Sequence, residues 1–141
     1  MTTIAYKDGV IATDGRILQG LSISDDNAVK RTVRKGVEFF FSGSVHDEPL
    51  LIDCYFNGPP ESTDNTESNA LIVDSGNIFE AAVNPDGYWC APERRNNVVA
   101  IGSGASHAMT AMDLGCSAKE AVKMAAKRDA GTGGRVRTYK V

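Results

Sequence analysis

Three short turns constrain this chain most, because each stands between two segments with the residue pattern of a β-strand. The turns are Lys7-Asp8-Gly9, Arg34-Lys35-Gly36 and Ser75-Gly76-Asn77. Glycine adopts a positive φ at little cost, and Asp-Gly in particular favours the tight turn of a hairpin. The sequence therefore predicts three antiparallel hairpins, in "TTIAYKDGVIATD", in "NAVKRTV" with "VEFFFSG", and in "ALIVD" with "IFEAAV", followed by a further strand at "GYWCA".

Helical patterns dominate the last third of the chain. Gly115 ends a first amphipathic segment, and Ser117 with Glu120 forms a capping box that opens a second. The apolar faces are formed by Ala105, Ala108, Met109 and Met112 in the first segment and by Ala118, Val122 and Ala125 in the second. One further short helix is expected within "SVHDEPLLIDCYF", before the polar loop "NGPPESTDNTESN", and the alternating "RVRTYKV" predicts a last strand. Hairpins followed by helices indicate an α+β layered sheet.

The chain of 141 residues is long enough for one domain, and we expect a single domain over residues 1–141. No apolar run approaches the roughly 20 residues of a membrane helix, and no secretory leader is recognised. Three scattered cysteines without a CxxC pair argue against a disulfide framework or a zinc site, and they suit the cytoplasm. A net charge of −3 without interleaved aromatic and basic residues argues against nucleic-acid binding.

Charge is distributed unevenly along the chain. No lysine or arginine occurs between Lys35 and Arg94, whereas the segment from Lys119 onwards is rich in both. Separated charges of this kind can steer copies of a protein into head-to-tail contact. Two solvated faces of opposite sign would give the same pattern.

Thr2 follows the initiator methionine directly, and a small second residue favours removal of Met1. Removal would leave a free α-amine beside the threonine hydroxyl, with a pKa of roughly 7.7–8.0. A hydroxyl needs an adjacent base to act as a nucleophile, and Thr2 would then carry both groups. Taken alone, Thr2 is better described as the first residue of an edge strand.

Four sequence blocks, in order, resemble those of the proteasome β-subunits and the bacterial HslV peptidase, which are N-terminal-nucleophile threonine hydrolases. The opening "TTIAYKDGVIATDGR" contains their Asp-x-Arg as Asp14-Gly15-Arg16. "FSGSVHD" is similar to their small-Gly-x-x-x-Asp block, and "AIGSGAS" to the Gly-Ser-Gly that opens a helix. Near the end, Arg128–Gly134 reads "RDAGTGG", where the β-subunits carry Arg-Asp-Ala-x-Ser-Gly-Gly. The blocks cover about half of the chain.

The resemblance implies a catalytic role for each matched residue. Thr2 would be the nucleophile and, through its amine, the proton acceptor by way of a water molecule. Asp14 would pair with a lysine beneath Thr2 that favours the alkoxide. Lys30 is preferred for that lysine over the neighbouring Arg31, because arginine does not give up its proton. The backbone N–H of Gly43 would form the oxyanion hole.

Further residues are implied around the amine and the substrate. Ser103, Asp129 and Thr132 would orient the amine and its water, with Thr132 replacing the family's serine. Asp129 also continues the apolar stripe of the second helix, where a carboxylate needs a partner because unpaired buried charge is costly. The implied substrate-binding residues are Arg16, Phe41 and Ser42.

The implied fold is the αββα sandwich of antiparallel sheets, trimmed at the C-terminus and in the first helical layer, where Glu48–Asn97 has room for about one helix. The implied function is a compact threonine peptidase without cofactor or metal. Its expected partners are other copies of the chain in a ring, a peptide or unfolded-protein substrate, and an ATP-dependent unfoldase. A small-amide hydrolase and a catalytically silent assembly protein on the same fold are the alternatives.

Overall fold

The computed structural model describes residues 1–93 and 98–141, in which strands outnumber helices. The elements in chain order are β1 (Ile4–Lys7), β2 (Val10–Thr13), β3 (Ile17–Gln19), β4 (Ser22–Asp25), β5 (Arg31–Arg34), β6 (Val37–Gly43), a 3₁₀ turn (Val45–Asp47), α1 (Glu48–Asn57), β7 (Ser68–Asp74), β8 (Asn77–Asn84), β9 (Gly87–Pro92), β10 (Val98–Ile101), α2 (Ala105–Asp113), α3 (Ala118–Ala126) and β11 (Arg137–Lys140).

The described residues form two compact units. The first unit contains residues 1–30 and 98–141, and the second contains Arg31–Glu93. Within the described chain no helix has the length and apolar character needed to cross a membrane.

The first unit is built on an antiparallel sheet of four strands in the order β10-β1-β2-β11. Helices α2 and α3 pack on this sheet through small side chains. Ala5 and Ala12 of the sheet meet Ala108, Val122 and neighbouring residues of the helices in one buried cluster. Because these side chains are short, α2 and α3 lie close to β1 and β2.

The second unit is a five-stranded meander in the order β5-β6-β7-β8-β9, with α1 packed on it. Its core is aromatic. Phe39 and Phe41 stack with ring centroids 5.9 Å apart, and Tyr55 of α1 meets Phe39 edge-on at 5.5 Å. Leu51 and Cys54 complete the side of α1 that is buried in this core.

All three predicted hairpins are confirmed, with the predicted turns. Asp8, Lys35 and Ser75 have φ values of 49°, 51° and 53°, and each is followed by a glycine with positive φ. Two consecutive residues with positive φ make the turn that matches the right-handed twist of the strands. The helices are also confirmed, including the Ser117 cap, whose hydroxyl accepts the N–H of Glu120 at 3.1 Å.

Three details differ from the sequence prediction. The β3–β4 hairpin was not predicted, because its strands are largely exposed and lack an alternating pattern. Lys30 precedes β5 instead of lying within a strand. Asp129 lies past the end of α3, in the turn that follows Ala126, although its N–H still bonds to the carbonyl of Ala125 at 2.9 Å.

Candidate active site

Thr2, Asp14 and Lys30 form the centre of a buried polar cluster in the first unit. The Lys30 ammonium donates to the Thr2 hydroxyl, with Nζ 2.6 Å from Oγ1, and lies 3.5 Å from the Asp14 carboxylate. The Thr2 hydroxyl in turn donates to Asp14 Oδ1. Thr2 is 1% exposed and Asp14 is fully buried. The sequence therefore brings a hydroxyl, a cation and its counter-charge together as the resemblance implied.

Chain geometry explains why these three residues meet. Thr2 lies two residues before β1, and Asp14 lies one residue after its hairpin partner β2, so the short turn at Asp8-Gly9 places them side by side. The Lys30 ammonium also donates a hydrogen bond to the carbonyl oxygen of Arg16, 2.6 Å away. Arg31, the neighbouring alternative, instead directs its guanidinium to Glu38 at 3.0 Å.

Asp14 also organises the backbone around the cluster. Its carboxylate accepts the N–H groups of Thr3 at 3.4 Å, Arg16 at 3.3 Å and Gly133 at 3.0 Å. A fully buried carboxylate is costly unless it is paired and hydrogen-bonded, and these contacts together with Lys30 supply both. Asp14 thus caps the turn at Gly15 and pairs with the lysine.

A second chain of hydrogen bonds runs from the backbone nitrogen of Thr2. This N–H donates to Ser103 Oγ at 3.1 Å, and Ser103 donates to Asp129 Oδ2 at 2.6 Å. Thr132 donates to the same carboxylate oxygen at 2.6 Å. Thr3 and Thr132 share a further 2.6 Å hydroxyl contact, which ties the start of the chain to this loop. Of the three residues predicted to orient the amine, Ser103 contacts the atom that would become it, and Asp129 and Thr132 are connected to that atom through Ser103.

Asp129 is ionised in this arrangement. Partial burial raises its pKa, but the hydroxyls of Ser103 and Thr132, the N–H of Gly131 and the charge of the chain terminus together bring the pKa below its ordinary value. The resulting carboxylate can accept a hydrogen bond from each of the two hydroxyls. Because Ser103 donates its own hydrogen to Asp129, its oxygen can accept the N–H of Thr2.

Met1 lies over this second chain of hydrogen bonds. Its side chain is 56% exposed, whereas Thr2 beneath it is buried. A methyl group added to Gly131 would stand 2.8 Å from the Met1 Cβ and 2.9 Å from Ser103 Oγ, so a larger residue here would displace one of these side chains. While Met1 is attached, the Thr2 nitrogen is an amide and has no basic lone pair.

Arg16 contacts the loop that carries Asp129 and Thr132. Its guanidinium forms a two-pronged pair with Asp26 at 2.8 and 3.1 Å and donates to the carbonyl of Ala130 at 3.2 Å. The contact with Asp26 raises the pKa of Arg16, against the opposing effect of burial, and lowers that of Asp26. These contacts connect Arg16 to the loop and hold the loop in place. The substrate-binding role of Arg16 stays a prediction.

Gly43, Phe41 and Ser42 belong to the second unit, at the end of β6. Gly43 has a φ of 99°, and a Cβ there would stand 2.9 Å from the carbonyl oxygen of Glu67, so the fold itself requires a glycine. Phe41 lies in the aromatic core, and the neighbouring Ser42 is 5% exposed. Adjacent residues of a strand point to opposite faces, so Phe41 and Ser42 do not line one common surface. Their roles, and that of Gly43, stay predictions.

Two contributors were missed at the sequence level. Thr3 is part of the hydroxyl chain, and its only signal was the repeated threonine at the start. Asp26 pairs with Arg16, but nothing in "SISDDNAV" distinguishes it from an exposed turn residue. Among residues 1–93 and 98–141, no three His, Cys, Asp or Glu side chains are grouped as metal ligands.

Comparison with solved structures identifies the fold. BPH from Thiobacillus denitrificans, solved in complex with epoxomicin, superposes with a TM-score of 0.72 at 19% identity, covering 99% of this chain and 98% of that one. HslV from Trypanosoma brucei gives 0.72 at 19% identity over 98% of both chains. A further BPH structure gives 0.71 at 20% identity, covering 99% of this chain and 97% of that one.

The chain has the HslV fold. The α+β fold of antiparallel sheets predicted from the resemblance is thereby confirmed, and the likeness extends over almost the full length of both chains. No protein-family model matches the sequence, and no curated protein matches it either. About one residue in five is identical, and similarity at this level shows a shared fold, whereas chemistry depends on the individual side chains of a site.

Proposed function

We propose that the protein is a threonine peptidase of the HslV and proteasome type, which becomes active when Met1 is removed. The 2.6 Å contact between Lys30 Nζ and Thr2 Oγ1, with Asp14 as counter-charge, carries this proposal. A cation at hydrogen-bond distance stabilises the alkoxide form of the hydroxyl. The HslV fold and the four matching sequence blocks support it.

The reaction begins at the Thr2 hydroxyl. Oγ1 attacks the carbonyl carbon of the peptide bond, and its proton passes to the free α-amine of Thr2 through a water molecule. Ser103, held by Asp129, orients that amine. The N–H of Gly43 would stabilise the oxyanion of the tetrahedral intermediate.

The intermediate then collapses in two stages. The C–N bond breaks, the leaving amine takes the proton from the α-ammonium of Thr2, and the acyl group remains on Oγ1 as an ester. Water, deprotonated by the same amine, attacks the ester, and the acid product leaves as the hydroxyl is restored. Thr2 thus supplies both the nucleophile and the base when the ester forms, and the base again when the ester is hydrolysed. The proposed reaction uses no cofactor or metal.

We include in the same proposal the ring assembly and the cytoplasmic location that the resemblance implies. A ring of identical copies would receive a peptide or unfolded-protein substrate, supplied by an ATP-dependent unfoldase in the cytoplasm. Light scattering on the purified chain tests the ring: a single mass several times that of one chain is expected, and a monomer at all concentrations contradicts it.

A panel of three variants tests the chemistry. With fluorogenic peptides, Thr2→Ala should reduce the rate by about 10³-fold or more, because no hydroxyl remains. Thr2→Ser should retain measurable activity, since it keeps the hydroxyl and the amine. Thr138→Ala, an exposed threonine of β11, is the matched control and should be unaffected.

The same panel separates the alternatives. Hydrolysis of small amides but not peptides, abolished by Thr2→Ala, would assign an amidase. If no peptide or amide is turned over by a preparation shown to lack Met1, the catalytic proposal is wrong and an assembly role is favoured.

A further inference from the structure

The segment of residues 26–29 leads from the end of β4 to Lys30. It belongs to neither a helix nor a strand. Of its four side chains, that of Ala28 alone is buried, and that of Val29 is 63% exposed. Because so little of the segment packs against the core, its path depends on hydrogen bonds, and so does the position of the Lys30 side chain.

Arg137 of β11 supplies three of these hydrogen bonds. Its Nη1 donates to the carbonyl oxygen of Ala28 at 2.9 Å. Its Nη2 donates to the carbonyl oxygen of Asn27 at 3.1 Å and to the side-chain oxygen of the same residue at 2.8 Å. A guanidinium is planar and holds its donors in a fixed fork, so the three contacts together define the position of two consecutive residues.

The backbone of Arg137 lies beside the strand that leads to Asp14. Arg137 faces Thr13 in the register of β11 and β2, and Asp14 follows Thr13 directly. Lys30 comes two residues after Ala28, and its ammonium lies 3.5 Å from the Asp14 carboxylate. Arg137 therefore connects the segment before the lysine to the strand that precedes its counter-charge.

The guanidinium of Arg137 forms no ion pair with a carboxylate among residues 1–93 and 98–141. Its acceptors are the neutral oxygens of Asn27 and Ala28. A hydrogen bond from a charged donor is stronger than one between two neutral groups. The contribution of this residue is therefore directed to the segment before Lys30.

Two backbone hydrogen bonds hold the same segment independently of the Arg137 side chain. The N–H of Ala28 donates to the carbonyl of Gly15 at 2.9 Å, and the carbonyl of Asp26 accepts the N–H of Arg135 at 2.8 Å. Both bonds remain when the side chain at position 137 is replaced. A variant there should therefore fold, with a change that is confined to the path of the segment.

We propose that Arg137 is a positioning residue, which places the Lys30 ammonium beside the Thr2 hydroxyl by holding the carbonyl groups of Asn27 and Ala28. This inference rests on the proposed peptidase function and adds to it a residue from the last strand. The ammonium acts on a hydroxyl oxygen 2.6 Å away. A displacement of about 1 Å at a catalytic group can lower a rate by about 10²-fold, so a modest shift of the segment has a measurable effect.

Peptide turnover tests the effect on the reaction. Arg137→Met keeps an unbranched side chain without donors, and kcat should fall about tenfold while KM stays within about twofold. Arg137→Lys keeps the charge but loses the fork, so its kcat should lie between those of the parent and Arg137→Met. The control is Arg34→Met, at an exposed arginine that donates to the carbonyl of the neighbouring Val33, and it should match the parent.

Limited acetylation of the folded chain tests the placement of Lys30 without turnover. Its side chain is 9% exposed, so acetic anhydride should modify it slowly in the parent. In Arg137→Met, Lys30 should react about fivefold faster or more, because its segment is less restrained. Lys7, whose ammonium donates to the carbonyls of Met112 and Cys116, is the internal control and should keep its rate. Peptide mass spectrometry measures both rates.

The outcomes separate this inference from the proposed function. An unchanged acetylation rate at Lys30, or an equal acceleration at Lys30 and Lys7, would overturn the positioning role whether or not the chain is a peptidase. A kcat equal to that of the parent in Arg137→Met, or in Arg137→Lys, would contradict the role of the fork in the reaction. If the trimmed parent turns over no peptide, the proposed function fails, and the acetylation rates still decide whether Arg137 places Lys30.

Discussion

The two units of this protein differ in what fills their buried centres. In the first unit, Thr2, Thr3, Asp14 and Thr132 are all at most 1% exposed and are joined in hydrogen-bond networks. In the second unit, the buried centre is aromatic and aliphatic, around Phe39 and Leu51. Buried polar networks cost stability unless every member is satisfied, so they persist where they serve a function. The comparison agrees with the proposal that the nucleophile, its lysine and the groups around its amine belong to the first unit, whereas the second unit contributes the proposed oxyanion donor Gly43.

Asp14→Asn should have the largest combined effect on stability and activity. This change leaves the Lys30 ammonium without its counter-charge, and breaking a buried pair from one side costs about 3–5 kcal/mol of unfolding free energy. Peptidase activity should fall by about 10²-fold or more, because the lysine loses the carboxylate that holds it beside Thr2. Denaturant unfolding and peptide turnover measure the two losses.

Asp113→Asn is the control, because it removes an exposed carboxylate from the end of α2. It should change neither quantity appreciably. If Asp14→Asn keeps full activity, the pairing with Lys30 has no part in catalysis.

Phe39→Ala should affect stability without affecting chemistry. Truncating a fully buried phenylalanine costs about 3–5 kcal/mol, through lost burial and the cavity left behind. The ring contacts of Phe39 are with Phe41, Tyr55 and Phe56 of its own unit, so kcat should stay close to that of the parent wherever the variant is folded. If kcat of the folded Phe39→Ala variant falls together with its free energy of unfolding, the core of the second unit takes part in catalysis, and the contrast between the units is wrong.

Arg16→Lys sharpens the assignment within the first unit. Lysine keeps the charge but cannot bridge Asp26 and Ala130 as the guanidinium does. If Arg16 braces the loop of Asp129 and Thr132, kcat should fall about tenfold with little change in KM, and Asp26→Asn should give the same pattern. A rise in KM at constant kcat would instead support the predicted substrate-binding role.

Asp129→Asn should produce the smallest effect on stability, visible in its dependence on pH. Because its folded-state pKa is lowered, the carboxylate contributes stability that is fully present above its ordinary pKa of 3.8 and is lost as the pH falls through the folded value. The variant should therefore lose stability less steeply than the parent below about pH 5. Parallel pH profiles for the two proteins would show that Asp129 is not held as described.

Most of the fold was predictable from local signals. The Asp-Gly and Lys-Gly turns fixed hairpins whose strands lie next to each other in the sequence, and the Ser117 cap fixed the start of α3. The exposed β3–β4 hairpin was missed, because without a buried face it has no alternating pattern.

The candidate site was predictable only where a motif carried it. Asp14, Ser103, Asp129 and Thr132 lie in matching blocks, but two of the hydrogen bonds that join these blocks span 101 positions, from Thr2 to Ser103, and 119 positions, from Asp14 to Gly133. No periodicity reports a contact of that range, which is why the contact of Thr3 with Thr132 was missed. Asp26 lies only ten positions from Arg16, and it was missed because its segment resembles an exposed turn. The preference for Lys30 over Arg31 rested on proton chemistry, and the placement of the two side chains agrees with it.

The central claim is that Thr2, once Met1 is removed, supplies both the nucleophile and the base. Intact-mass spectrometry tests this claim most directly. The mass is measured before and after treatment with an electrophile that needs both the amine and the hydroxyl of an N-terminal threonine. The parent should lack one methionine residue and gain one equivalent of the reagent, mapped to Thr2. Thr2→Ala should lose the methionine and gain nothing. A mature protein that retains Met1, or a trimmed one that remains unlabelled, would contradict the account.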